Sequence, residues 1–445
     1  MRLPDPHRET VAIWGAGREG LTCWRWLRQR WPEAPLQIWD SNPATLQQPP
    51  LREDIHLQRL HLPTDAPLPP AHWVIKSPGI PLYQPRIEAA RQRGCRFTSG
   101  SNLWRIQAKH TAVIGVTGTK GKSTTTALLA HLLRHLGQRV VQAGNMGRPL
   151  LDTLDDAADW WVVELSSYQL ADLNWTPPTA LMLNLQQEHL DWHGSLQRYH
   201  RDKLRIFGPD QLRIHPPDHV PGTIPGGRWL AFDSPEGVQL QGDTFTLHDQ
   251  PLFPASALAL PGLHNRVNTC AALTCLHGLG FELQGLDAAL RSFRGLPHRL
   301  QALGRYRGID WVNDSIATTP EASLAALQAM GNRPVTLMVG GHDRGLDWRG
   351  FIDVASRHPQ LRLLALPDSG HRLARQLAGT ALGKKTETVE DLSQAVTRAV
   401  HLTPPGGVGL LSPGAPSYGL FPNYEARGEA FTRLVQALEE NPSAR

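Results

Sequence analysis

Apolar residues in this chain gather in short runs, each followed by a stretch in which they recur every third or fourth position. That alternation predicts buried parallel strands joined by helices, an α/β architecture. The first runs are Thr10–Trp14, Leu36–Trp39 and His72–Lys76. Later come Thr111–Val116, which leads into a helical pattern from Thr125, then Trp161–Val163, Leu181–Leu185 and, read as one strand, Arg305–Val312. The small polar residues of Ser99–Trp104 predict a connection between domains. Gly295–Arg299 predicts a second boundary, because a helical pattern stops there and a strand pattern starts. The segment 205–260, rich in Pro, Gly and Asp, reads as loops with short strands.

Composition acts mainly by exclusion. A chain of 445 residues exceeds what one core supports, and three domains are expected. Hydrophobic residues at 40% and charged ones at 19% describe a globular protein rather than a disordered one. The formal net charge of +5 is mild and its basic residues are scattered, so nucleic acid is not implied. No apolar run reaches the roughly 18 residues of a membrane span. The polar start Met1–Arg8 lacks the core of a secretion signal, and a soluble cytoplasmic protein is expected. Cys23, Cys95, Cys270 and Cys275 lack metal-pair spacing and are expected to be buried thiols. The 14 tryptophans suggest no function of their own.

Candidate chemistry begins at two glycine-rich turns. Gly15-Ala16-Gly17-Arg18-Glu19-Gly20 follows a strand and opens a helix, and Asp40 closes the next strand. This is the dinucleotide-type fingerprint, in which glycines admit a ligand to the backbone and the carboxylate meets a ribose or base. Ser77-Pro78-Gly79 follows the third strand, either as a plain turn or as part of a ligand edge. The run Thr117–Thr124 resembles a phosphate loop, aiming backbone N–H groups and a helix start at one spot and adding Lys122 and the Ser123 hydroxyl. Its fit is partial, since Val116 stands where the common pattern has its first glycine. Two such turns imply two ligands. Glu164, after an apolar run, is either a strand-end ligand for a hard cation such as magnesium or a helix-start residue. His189 is either a metal ligand or a surface histidine. Lys203 as an ammonium has donors only, cannot hold a metal and reads as helix surface.

Taken in order, Gly118–Thr124, Gly144–Gly147, Glu164–Gln169, Glu188–Asp191, Lys203-Leu204, His264-Asn265 with Asn268, Leu296–Arg299, Asn313–Ser315, Gly340-Gly341 and Leu411–Pro413 resemble the motifs of the Mur ligase family over nearly the whole chain. These are the ATP-dependent amino-acid-adding enzymes of bacterial peptidoglycan precursor synthesis. The resemblance implies a Rossmann-like amino-terminal domain (1–106) for a UDP-sugar, a P-loop-type central ATPase domain (107–299) and a Rossmann-like carboxy-terminal domain (300–445) for the amino acid. Gly15–Gly20, Ser77–Gly79 and Ser417–Phe421 are similar to the branch that adds glutamate to UDP-N-acetylmuramoyl-L-alanine.

By the same resemblance, ATP would meet Gly118, Thr119, Lys120, Gly121, Lys122, Ser123, Thr124, Asn268, Arg299 and Asp314. Catalysis would fall to Lys122, Glu164, His189 and Lys203. Magnesium would be held by Ser123, Glu164, His189 and Lys203, the last as a carbamate formed with carbon dioxide. The UDP-substrate would meet Gly17, Arg18, Asp40, Ser77, Gly79, Asn145 and Ser166. Lys120 replaces a common family asparagine and adds charge near the phosphates. The chain is expected to act as a monomer, without nucleic acid or membrane insertion.

One departure bears on stereochemistry. After Asn313-Asp314-Ser315, ligases of this branch that use D-glutamate carry a lysine for a glutamate carboxylate, and this chain has Ile316. The family's second lysine is matched by Arg344, which keeps the charge as a planar fork. Ser315-Ile316-Ala317-Thr318-Thr319-Pro320 is similar to a variant branch that adds L-glutamate and is followed by a separate epimerase. L-glutamate is therefore the expected amino acid, bound by Thr318, Arg344, Ser417 and Phe421, with D-glutamate as the alternative. An NAD-dependent oxidoreductase would use the first turn and Asp40 but leave Lys122, Glu164, His189 and Lys203 idle. A regulator that has lost catalysis would be free to lose Lys122 and Lys203.

Overall fold

A computed structural model describes residues 3–108, 112–218, 224–260 and 262–440. Met1, Arg2, Thr111 and part of the loop-rich 205–260 segment lie outside the described residues. The chain divides into two compact units, Met1–Phe293 and Arg294–Arg445.

In the first unit, strands β1 (Val11–Trp14), β2 (Leu36–Asp40), β3 (Leu57–His61), β4 (Trp73–Lys76) and β5 (Arg96–Thr98) form a parallel sheet in the order β3-β2-β1-β4-β5. Every residue of β1 and β4 is buried, as strands covered on both faces require. The order reverses between β1 and β4, which brings the Gly15–Gly20 and Ser77–Gly79 turns side by side at the carboxyl edge. Helix α1 (Arg18–Arg30) leaves the first of these turns. A Cβ on Gly20 would lie 1.7 Å from the Gly15 carbonyl oxygen, so only glycine lets helix and turn close.

The residues of the expected connection, Ser99–Trp104, cap and start a buried helix, α2 (Gly100–Gln107). The Ser99 hydroxyl accepts from the Asn102 amide, and the Asn102 side chain donates to the Asp172 carbonyl at 2.9 Å. The polar residues that suggested a linker are a cap and an internal hydrogen bond.

A second parallel sheet is built from β6 (Val113–Thr117), β7 (Val140–Gly144), β8 (Trp160–Glu164), β9 (Thr179–Met182), β10 (Leu212–His215) and β11 (Arg228–Ala231), in the order β11-β10-β9-β6-β8-β7. Helix α3 (Lys122–His135) follows β6, α4 (Ser167–Asp172) follows β8, and α5 (Leu190–His193) and α6 (Leu196–Leu204) follow β9. The ends of β6, β8 and β9 are adjacent and open at one edge. β9 stops at Met182, short of the Leu181–Leu185 run, because Asn184 turns aside to hold the loop after β6. The antiparallel strands β12 (Val238–Gln241), β13 (Thr244–Leu247) and β14 (Gln250–Pro254) are tied to α7 (Leu263–Gly278) by the Val238 amide, which donates to the Thr274 hydroxyl at 2.8 Å.

One apolar core runs from the first sheet into the second, from Val11 and Ile13 through Leu103 and Trp104 to Val163 and Met182. A buried ion pair crosses the same region, Lys76 Nζ lying 2.7 Å from the Asp172 carboxylate. Lys76→Met would strand that carboxylate and is expected to cost about 3–5 kcal/mol of unfolding free energy. The urea midpoint checks this, and adding Asp172→Leu should restore most of the loss.

In the second unit, β15 (Gln301–Tyr306), β16 (Ile309–Asn313), β17 (Val335–Gly341), β18 (Leu361–Asp368), β19 (Thr386–Thr388) and β20 (Val408–Leu411) form a sheet in the order β15-β16-β20-β17-β18-β19, with β15 antiparallel. The single strand expected at Arg305–Val312 is a hairpin. Arg307 and Gly308 take φ of 56° and 77°, and this tight turn splits the run. Helix α8 (Tyr424–Glu440) closes the unit. Apolar layers drawn wholly from this unit cover both faces.

The tryptophans are largely structural, with Trp39, Trp73, Trp104, Trp161, Trp311 and Trp348 among the largest fully buried side chains. All four cysteines are free and buried, as expected. Among the described residues no helix is long and apolar enough to cross a membrane.

Candidate active site

The loop from β6 to α3 centres on Gly121, whose φ of 85° starts the helix. A Cβ there would lie 2.5 Å from Asn268 Oδ1, so α7 backs directly onto the turn. Asn184 braces the loop from β9, its carbonyl accepting from the Thr119 amide at 3.0 Å and its side chain from the Lys120 amide at 2.8 Å. The Thr119 hydroxyl meets Tyr199 of α6 at 2.8 Å. Ser123 and Thr124 lie in the first turn of α3, and Lys122 Nζ donates to the Gly118 and Thr119 carbonyls at 3.0 Å each. Lys120 pairs with Glu188; burial would raise that carboxyl, but the hydrogen bond and charge of Lys120, with the nearby His189 and Lys122, together hold it below its usual range.

Around this loop gather the carboxylate, imidazole and amine expected from sequence. Glu164, at the end of β8, is buried; its Oε1 accepts from the Asn145 side chain at 2.9 Å. Its Oε2 is buried without a hydrogen-bond partner. Lys203, read from sequence as helix surface, is 1% exposed, and its Nζ donates to the Gly118 carbonyl at 2.7 Å. Burial, then the charge of Lys122, push its amine down to about 6, against the opposing pull of Glu188 and Glu164. It is therefore mostly neutral at pH 7. His189 takes a left-handed φ of 56° at the start of α5 and packs on Tyr168, ring centres 5.0 Å apart. Burial and the charge of Lys122 hold it below the usual histidine value despite Glu188, leaving a neutral ring with a lone pair. Lys203 thus lies close enough to feel Lys122 and Glu164, and His189 close enough to feel Lys122 and Lys203.

Among the described residues no group of three His, Cys, Asp or Glu is gathered for a metal. The donor set here fits a hard cation in another way. Glu164 offers an anionic oxygen that no protein group satisfies, and Ser123 offers a hydroxyl at the head of α3. As an amine Lys203 offers no oxygen, so it joins that set only if converted to a carbamate.

At the first sheet's edge, the Asp40 carboxylate accepts from the Ala16 amide at 2.6 Å and the Asn42 amide at 2.8 Å, fixing the Gly15–Gly20 turn. Gly17 caps α1 with its Cα face open. The Ser77 hydroxyl donates to the Gly15 carbonyl at 3.3 Å. Arg18 donates to the Gly147 carbonyl at 2.7 Å, joining this turn to the segment that carries Asn145. Ser166 caps α4 in a reciprocal box with Gln169, and the Gly79 carbonyl accepts from Trp192 at 3.3 Å.

In the second unit, Asp314 accepts from the Leu300 amide at 3.1 Å and the Ser412 hydroxyl at 2.7 Å. Burial raises its carboxyl to about 6, and Arg299 opposes that rise. Arg344 is exposed and lies over the Tyr418 ring at 5.9 Å. Ser417 is buried, Thr318 and Phe421 are half-buried, and the Phe421 amide donates to the Ser417 carbonyl at 3.0 Å. The residues expected for glutamate follow β16, β17 and β20, at the carboxyl edge of the sheet.

Sequence reading missed Arg427, a buried cation of α8 that donates to the Ser315 hydroxyl at 3.0 Å, the Ser315 carbonyl at 2.8 Å and the Ala415 carbonyl at 3.0 Å. Burial lowers it to about 10. It also missed Tyr83, His193 and Asp202. The one available signal was spacing, since His193 stands one helical turn beyond His189.

Known proteins resemble the chain over nearly its whole length. The Mur ligase middle domain matches residues 116–214, the Mur ligase glutamate ligase domain residues 298–414, and the Mur ligase MurD-like N-terminal domain residues 9–99. The chain belongs to the Mur ligase family. It is 42% identical over 98% of its length, and 97% of the relative's, to a protein of Xanthomonas oryzae pv. oryzae named UDP-N-acetylmuramoyl-L-alanine--L-glutamate ligase. A Micromonospora protein of the same name is 40% identical with both chains fully covered. The fold is similar to that of UDP-N-acetylmuramate-alanine ligase MurC from Thermotoga maritima, with a TM-score of 0.58 at 20% identity over 96% of this chain and 99% of that one.

Proposed function

We propose that the chain joins L-glutamate to UDP-N-acetylmuramoyl-L-alanine at the expense of ATP, in peptidoglycan precursor synthesis. The observation that carries this reading is the convergence of Lys122, Glu164, His189 and Lys203 on the Gly118–Ser123 loop. A carboxylate is a poor acceptor for an amine, so the alanyl carboxylate first takes the terminal phosphoryl group of ATP, giving ADP and an acyl phosphate. The neutral amine of glutamate then attacks the acyl carbon, inorganic phosphate leaves, and the amine proton is lost as the amide forms. Little covalent work falls to the protein. Lys122 and the loop amides stabilise charge on the transferring group, and the surrounding loops position the reactants and exclude water.

Magnesium would be held by Ser123, Glu164, His189 and the Lys203 carbamate, and when bound it neutralises charge on the phosphates. The neutral amine of Lys203 suits carbamylation, since only the unprotonated form attacks carbon dioxide. Gly17, Arg18, Asp40, Ser77, Gly79, Asn145 and Ser166 would hold the UDP-substrate within residues 1–106 and the adjoining part of 107–299. Residues 300–445 would hold glutamate through Thr318, Arg344, Ser417 and Phe421, with Arg299 and Asp314 serving the nucleotide.

The choice of L-glutamate is supported by Ile316 and Arg344 and by the names of the relatives. Inverting the α-carbon while keeping the amine in place moves the carboxylates, which calls for a changed set of cations. The product would then require a later epimerase. Initial rates of ADP and product formation with each enantiomer test this, and the L form is expected to be the faster. A faster D-glutamate reaction would overturn the stereochemical assignment, and no nucleotide turnover with either would overturn the ligase itself.

A further inference from the structure

Asp202, the residue before Lys203, is completely buried. The Tyr83 hydroxyl lies 2.5 and 2.7 Å from its two carboxylate oxygens. His193 Nδ1 lies 2.8 Å from Asp202 Oδ2, and His193 Nε2 lies 3.0 Å from the Ser167 hydroxyl. Each member belongs to a different working segment. Tyr83 follows the Ser77–Gly79 turn, Ser167 follows Glu164–Ser166, His193 ends α5, which His189 caps, and Asp202 shares α6 with Lys203.

Tyr83 grips the two helices by packing as well. Its ring meets Trp192 of α5 edge-on at 6.0 Å, and the Arg198 guanidinium of α6 lies 4.4 Å above it. Trp192 in turn donates to the Gly79 carbonyl. A buried carboxylate is a poor way to gain stability, since well-packed apolar residues of similar volume do as well or better. What it does provide is directional geometry, because each oxygen accepts only along set lines.

We infer that Tyr83, Asp202 and His193 form a positioning unit through which filling of the Ser77–Gly79 turn sets the helices carrying His189 and Lys203 against the phosphate loop. The inference rests on the proposed role of that turn in binding the UDP-substrate. The test is amide hydrogen exchange of residues 196–204 in the full chain, with and without UDP-N-acetylmuramoyl-L-alanine and without ATP, alongside steady-state ligation. In the unaltered protein the substrate is expected to slow exchange across α6. Tyr83→Phe keeps the ring, removes the hydroxyl and is expected to abolish most of that slowing. Its kcat should fall about tenfold while its KM for ATP stays within about twofold, as misplacement without loss of nucleotide binding requires. Asp202→Asn should behave alike, and Tyr83→Phe carries the test if that variant does not fold. Equal slowing in both proteins, or an unchanged kcat in Tyr83→Phe, overturns the inference. An unaltered protein that ligates while α6 ignores the substrate also overturns it and leaves the ligase reading standing. One that neither ligates nor responds overturns both.

Discussion

Lys122→Ala should lower kcat by roughly 10³-fold, the scale on which a single cation acts on a transferring phosphoryl group. The amine already sits over the loop, donating to the Gly118 and Thr119 carbonyls at 3.0 Å each, and needs only a side-chain rotation to meet phosphate oxygens. The loss should fall mainly on kcat, because the charge on the phosphoryl group redistributes in the transition state while the loop amides still hold the ground state. Lys122→Arg should recover little, since a planar fork does not replace a compact charge at the head of a helix. Initial rates of ADP release at saturating substrates check both variants, and a loss below about tenfold would remove Lys122 from the chemistry.

Lys203→Ala should reduce ligation by roughly 10²–10³-fold, as removal of one preorganised electrostatic contact does. A small carboxylic acid such as formate or acetate should restore part of the rate by returning oxygen ligands to the vacated space. An amine of the same size should not, which separates a missing carboxylate from a missing cation. The unaltered enzyme should weaken in buffers stripped of carbon dioxide and recover with bicarbonate, most clearly as the pH falls towards 6 and the amine protonates.

The sign of the accompanying stability change follows from proton binding. Burial, reinforced by Lys122, takes the amine from 10.5 to about 6 in the folded chain, while the unfolded chain keeps the proton up to the ordinary value. Between those limits the unfolded state binds more protons, so this group's contribution to folding stability rises with pH, flattening below about 6. Urea midpoints of the unaltered protein and Lys203→Met across that range, both without carbon dioxide, measure the difference.

What could be read in advance followed from short-range pattern. The two glycine turns lay where strand and helix periodicity met, and the strands before them were apolar enough to be unambiguous. What escaped depended on partners distant in sequence. Nothing near Ser99 reveals that Asn102 will reach Asp172, and nothing near Lys203 reveals that the Gly118 carbonyl will receive its amine. The Arg305–Val312 run kept strand periodicity through Arg307-Gly308, so a hairpin looked like one strand. Family resemblance supplied Lys203, Asn145 and Asn268, but gave no hint of Asp202 or Arg427, whose value lies in joining segments.

Among the described residues, both apolar layers of the last unit are drawn from its own side chains. Its loops after β16, β17 and β20, where the proposed preference between mirror-image amino acids would be expressed, therefore stand on a self-contained foundation. On that reading, substitutions that exchange one enantiomer for the other would accumulate there without altering the residues of the phosphate loop. A lineage could thus revise the handedness of its cell-wall precursor while inheriting its phosphate chemistry intact.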